Sequence, residues 1–195
     1  VSLAETAGEW VPNSTAATGV DLWKGTAPET QTLVEEAVPF LAGLAVGRSD
    51  HADALAALLD HPGLRDSALA ALATAATEAP DHVEPHADRV AALTTGRRPG
   101  VRQRSTGILA TLASDGWRWP PGVADRLESL ASDPDPTVRR WAAFGVGERD
   151  DPDAGTLDRL ERVADHDGDA AGDAATLALV RGGRRRPRET LDALE

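Results

Sequence analysis

The chain has 195 residues, and its 32 acidic and 20 basic side chains leave a net charge of −12. It contains no cysteine, which excludes disulfides, thiolate metal sites and cysteine nucleophiles together. Apolar residues make up 41% of it, enough to build one domain with a substantial core, and no apolar run approaches the roughly 20 residues that a bilayer span needs. With no basic start followed by an apolar stretch, the expectation is a soluble, cytoplasmic protein without a membrane partner. Lys24 is the only lysine and Asn13 the only asparagine, while Tyr and Met are absent. That composition fits the GC-rich genome of a salt-loving archaeon or an actinomycete. In a salt-adapted cell an acidic surface is a general solubility device. Elsewhere it disfavours nucleic acid and favours a basic protein as partner.

Residues 1–27 mix Gly, Pro, Asn and Ser without a period and read as an N-terminal extension or partial cap. Residues 28–195 read as one repeat domain. Its first unit, near 28–61, pairs helices over 30–46 and 51–61, with Pro39 starting or kinking the second half of the first.

A repeat follows. Pro62, Pro99 and Pro136 stand 37 residues apart, opening Pro62-Gly63-Leu64-Arg65, Pro99-Gly100-Val101-Arg102 and Pro136-Thr137-Val138-Arg139. Small or apolar residues continue at helical spacing: Ala68 and Leu72, Ser105 and Leu109, Ala142 and Val146. A second marker keeps the same register, since Asp88-Arg89-Val90 and Asp125-Arg126-Leu127 are again 37 apart, with Asp158-Arg159-Leu160 coming 33 later. Ala171 begins a weaker copy at the same shortened spacing from Val138.

The spacing predicts first helices near 64–78, 101–114, 137–148 and 169–182. Second helices are predicted near 81–95, 121–132, 155–166 and 187–194. Gly96 and Asp115-Gly116 mark helix ends, and Pro121 suits a first turn. Nothing alternates with the period of a strand. The expected fold is all-α: a right-handed α-α superhelix of about four to five helix pairs, with repeats near 28–61, 62–98, 99–135, 136–168 and 169–195. One hairpin cannot bury its apolar face alone, so neighbours stack around a continuous core, with Leu64, Val101 and Val138 in equivalent buried positions. The Asp88, Asp125 and Asp158 ladder, with its arginines, is expected to tie repeats together, and the second helices to line the partner-facing surface.

The period, the Val-Arg start and the Asp-Arg pair resemble HEAT repeats, and more narrowly the HEAT-like repeats first recognised in bilin lyases. Leu22-Trp23-Lys24-Gly25-Thr26 followed by Glu36-Ala37-Val38-Pro39-Phe40-Leu41 is similar to the opening of bacterial HEAT-repeat proteins, with Trp-Lys in place of their His-Gln. The resemblance spans about 22–194 and implies a solenoid that presents a long surface to partners.

Motifs for chemistry are incomplete. His82 and His86 stand i, i+4, but Val83 takes the place of the zincin glutamate and Pro85 precedes the second histidine. Asp165-His166-Asp167-Gly168-Asp169 alternates carboxylates as a calcium loop does, yet Ala170 and Thr176 occupy the positions of its glycine and glutamate. There is no G-x-S-x-G elbow and no Gly-rich loop ending in lysine. No catalytic residue, metal or cofactor is therefore assigned.

The informative residues are tryptophans and arginines. Trp141 aligns with Ser67 and Arg104, a polar column that predicts exposure, and Arg139 and Arg140 flank it. Trp117-Arg118-Trp119 lies in a turn before Pro120-Pro121, and Arg184, Arg185, Arg186 and Arg188 form a basic tail. The leading expectation is a non-catalytic module that binds another protein, as scaffold, assembly factor or immunity-type inhibitor, through Trp141, Arg139, Arg140 and the 117–119 turn. The alternative is an enzyme on nucleic acid resembling the HEAT-fold alkylpurine DNA glycosylases, whose resemblance implies Trp and a carboxylate in an electropositive groove. The acidic body offers phosphate little attraction.

Overall fold

The computed structural model of the chain describes residues 37, 40–114, 121–148, 154–166 and 170–185. Of the features above, residues 1–27, the Trp117-Arg118-Trp119 turn, Asp167-Gly168-Asp169, Arg186, Arg188 and the helix expected over 187–194 lie outside these.

Every regular element among the described residues is helical. In chain order they are α1 (40–47), α2 (Ser49–Leu58), α3 (Arg65–Glu78), α4 (Pro80–Val83), a 3-10 turn (Glu84–His86), α5 (Ala87–Leu93), α6 (Pro99–Ser114), α7 (Pro121–Leu130), α8 (Pro136–Gly147), α9 (Ala154–His166) and α10 (Ala170–Arg185). Local chemistry accounts for much of this. The helices α4, α6, α7 and α8 each begin on a proline, whose fixed φ suits a first turn and whose missing N–H would have had no intrahelical partner. The run Ala68–Ala76 gives α3 high helix propensity and four buried alanines that let neighbours approach closely.

One expected element is divided. The second helix predicted near 81–95 breaks into α4, the 3-10 turn and α5. Pro85 lies inside it, donates no hydrogen bond and crowds the carbonyl one turn back, so the ladder tightens to 3-10 geometry and restarts at Ala87.

The helices stack in two layers. The first helices α3, α6, α8 and α10 pack one on the next, and α2, α4, α5, α7 and α9 form the second layer. The closest hairpins join the second helix of one repeat to the first helix of the following one, α7 with α8 and α9 with α10, rather than α8 with α9. Leu64, Val101 and Val138 are buried in equivalent places along one continuous core, as their spacing predicts. At the C-terminal end α8 and α10 approach so closely that a Cβ on Gly147 would stand 2.6 Å from Cβ of Ala178.

The recurrent arginine has a structural task. Arg65 donates to the carbonyl of Leu59 at 2.7 Å, Arg102 to that of Gly96 at 3.1 Å, and Arg139 to that of Asp133 at 2.8 Å. Each reaches back six residues, and the three acceptors are themselves 37 apart. The Val-Arg signature thus closes the turn that feeds each first helix, satisfying carbonyls that its end leaves open. Arg102 also grips Asp133, at the far end of its own repeat, through two hydrogen bonds of 3.0 Å, with both side chains largely buried.

Of the ladder of aspartates and neighbouring arginines, the arginines do the tying. Asp88, Asp125 and Asp158 are exposed, and the ties between repeats come from the arginines that follow two of them: Arg89 pairs with Asp60, and Arg159 with Glu128 at 3.0 Å. An arginine spans the gap between adjacent helices, which the shorter aspartate does not.

Candidate surface around Trp141

The solvent-facing stripe of the first-helix layer runs through Asp66, Ala70 and Thr74 on α3, through Gln103, Arg104, Gly107 and Thr111 on α6, and through Arg140, Trp141 and Phe144 on α8. On α10 the same register brings Asp173, Leu177 and Val180 to the surface, the last two 47% and 48% exposed. Hydroxyls and small residues dominate its N-terminal half, aromatic and aliphatic residues its C-terminal half.

The N-terminal half is satisfied internally. Arg104 donates to Asp66 across the repeat boundary at 2.9 Å. Gln103 donates to Oδ2 of Asp135 at 2.9 Å, while Oδ1 of the same carboxylate accepts from the N–H groups of Thr137 and Val138 at 2.9 and 3.2 Å. Asp135 is therefore the N-cap of α8 and a bridge to α6 at once. Partial burial pushes its carboxyl upward, but the hydrogen bonds from Gln103, Val138 and Thr137 and the charge of Arg102 outweigh this and hold it below its ordinary value.

Around Trp141 the arrangement changes. The indole leaves α8 and lies over α6, where Gly107 makes room for it: a Cβ there would meet Cε2 at 3.5 Å and Cδ2 and Nε1 at 3.6 Å. Phe144 meets it edge to face, with centroids 6.2 Å apart and planes at 89°. The guanidinium carbon of Arg140 lies 5.3 Å from the ring centroid, within cation–π range. Trp141, Arg140 and Phe144 are all half-buried. The polar column Ser67, Arg104, Trp141 predicts open exposure, whereas the ring is part seat and part surface.

The sequence-predicted residues thus divide. Arg140 and Trp141 come together, whereas Arg139 turns to the carbonyls of Asp133 and Pro134. All three stand on a first helix, not on the second-helix layer expected to face partners. Arg184 and Arg185 end α10. Gly107 and Phe144 went unnoticed in the sequence; at the 37-residue spacing they share one column, three residues after the column of Arg104 and Trp141.

The histidine pair is drawn into two separate contacts. Nδ1 of His82 carries the hydrogen donated to the carbonyl of Ala45 at 2.8 Å, and Nε2 of His86 lies 2.9 Å from Asp53. Among the described residues no three His, Asp or Glu side chains converge as metal ligands.

No family model and no curated protein sequence matches the chain significantly. Solved structures do. An engineered protein superposes with a TM-score of 0.64 at 18% identity, over 84% of this chain and 77% of its own. A second engineered protein gives 0.61 at 21% identity, over 94% and 91%. A designed armadillo repeat protein, solved in complex with the peptide (KR)4, gives 0.62 at 18% identity, over 84% and 80%. At these identities the likeness is one of fold, and the chain is an all-α solenoid of stacked helix pairs.

Proposed function

We propose that the chain is a protein-binding module of the HEAT-like kind, serving as scaffold, assembly factor or immunity-type inhibitor, and that its partner docks on the first-helix layer around Arg140 and Trp141. One observation carries this reading: an indole seated on Gly107 and against Phe144, yet still partly open to solvent. A tryptophan fixed before binding loses little entropy on contact, and such residues are the anchors that dominate interfaces. Arg139 supports the site by closing the turn before α8. Trp117, Arg118, Trp119 and the basic tail extend the proposal as secondary contacts.

Two similar solved proteins are consistent with a binding role for such a surface, one being in complex with (KR)4 and another designed for modular peptide recognition. The net charge of −12 would speed the approach of a basic protein. Phosphate binding gains no comparable support, since Arg65, Arg102 and Arg139 are spent on turns and Arg89, Arg104 and Arg159 on carboxylates. The test is differential capture from the source cell at native salt. A partner retained by the wild type should be lost by a Trp141→Ala variant of unchanged melting temperature, and equal retention would reject the site.

A further inference from the structure

The chemistry at Arg140 runs opposite to the charge of the whole chain. In each of the two preceding repeats, the group in its register has a partner across the interface: Asp66 receives Arg104, and Gln103 donates to Asp135. The next position along is Asp173, again a carboxylate and exposed, yet it makes no ion pair with Arg140. Among the described residues Arg140 has no carboxylate partner, in a protein with 12 negative charges in excess. Its guanidinium carbon instead lies over the Trp141 ring, 5.3 Å from the centroid, and the indole's own position is set by Gly107 beneath it.

A cation–π contact gives a guanidinium no hydrogen-bond acceptor and leaves its N–H edge available. That edge is a planar fork matched to the two oxygens of a carboxylate, and half-burial against an indole strengthens the bond by thinning the water around it. We infer that Arg140, carried on Trp141, is a receptor for a carboxylate of the partner: an Asp or Glu side chain beside an aliphatic group that meets Phe144 and Leu177. The surrounding negative field sharpens the choice, because an acidic group finds attraction at this point and repulsion from the exposed Asp173 in the same register of the next repeat. The inference rests on the binding reading above and adds the chemistry that the site accepts.

The test uses the full chain and three blocked nine-residue peptides, Gly-Ser-Thr-Leu-Xaa-Leu-Thr-Ser-Gly, with Glu, Gln or Lys at the centre. Nuclear magnetic resonance would follow the side-chain N–H signals of Arg140 and Trp141, assigned with Arg140→Lys and Trp141→Phe variants. The Glu peptide should shift both signals and bind at least about tenfold tighter than the Gln peptide, with the Lys peptide weakest. Arg140→Gln should abolish the preference, and Arg140→Lys should restore only part of it. If the Glu peptide binds no better than the Gln or Lys peptide, or none moves the Arg140 signal at about millimolar concentration, the inference is overturned. A partner capture that needs Trp141 but tolerates Arg140→Gln would also overturn it, while leaving the binding surface standing.

Discussion

The indole of Trp141, rooted on one repeat, lies on Gly107 of the repeat before it, with 3.5 Å between Cε2 and the place of a Cβ. That distance is ordinary van der Waals contact, so Gly107→Ala should fit beneath the ring. It should leave stability unchanged or raise it by roughly 0.5–1 kcal/mol through helix propensity. Gly107→Val adds two methyl groups beyond that Cβ and should lift the indole. Melting curves together with the Trp141 indole N–H signal separate the cases: Ala should leave that signal in place and Val should move it.

Gly147 predicts the opposite sign for the same substitution. A Cβ would come 2.6 Å from Cβ and 2.8 Å from Cα of Ala178, so α8 and α10 must separate. Gly147→Ala should cost about 1–3 kcal/mol despite the gain in propensity. Gly43, in α1 with nothing within 4 Å, is the control whose change to Ala should stabilise. Equal shifts in the two melting temperatures would refute the close crossing.

The recurrent residues were readable from spacing because each repeat states them again. Val101 and Val138 share a position that is apolar every time, and burial in a stacked core is the simplest cause of such a pattern. Val101→Asp should accordingly be among the most damaging substitutions, placing an unpaired charge in the core. The seat of Trp141 could not be read this way. A mid-helix glycine looks locally like a simple loss of stability, and its value appears only when one repeat is laid on the next. Nor does spacing distinguish an arginine that closes a turn from one that faces solvent, which is why Arg139 and Arg140 looked alike. The aspartate ladder was half legible for a related reason: its regularity marked the arginine beside it, which makes the tie.

Asp135 should make part of the stability pH-dependent. Its carboxyl lies below the ordinary value in the folded chain, so its contribution is complete above the unfolded value of about 3.9 and is lost as pH falls through the folded one. At neutral pH, Asp135→Ala should cost about 1 kcal/mol for the lost cap, and more for the stranded Gln103. Denaturant unfolding of both proteins should show their difference unchanged from about pH 7 to 5 and shrinking well below 4. A difference that persists in strong acid would contradict this role.

Two ion pairs, one within a repeat and one between repeats, should differ in worth. Arg102 and Asp133 are 13% and 8% exposed and share two hydrogen bonds, so Arg102→Ala leaves a nearly buried carboxylate and should cost roughly 3–5 kcal/mol. Arg89 and Asp60 are exposed, and Arg89→Ala should cost at most about 1 kcal/mol. Unfolding titrations of the two variants give the comparison directly.

Cross-linking mass spectrometry on the full chain bound to a captured partner tests the binding surface most directly. The account predicts cross-links concentrated on α8 and α10, around Arg140, Trp141 and Asp173 on the first-helix layer. Cross-links concentrated instead on Asp88, Asp125 and Asp158 of the second helices, with residues 137–148 unmarked, would contradict it.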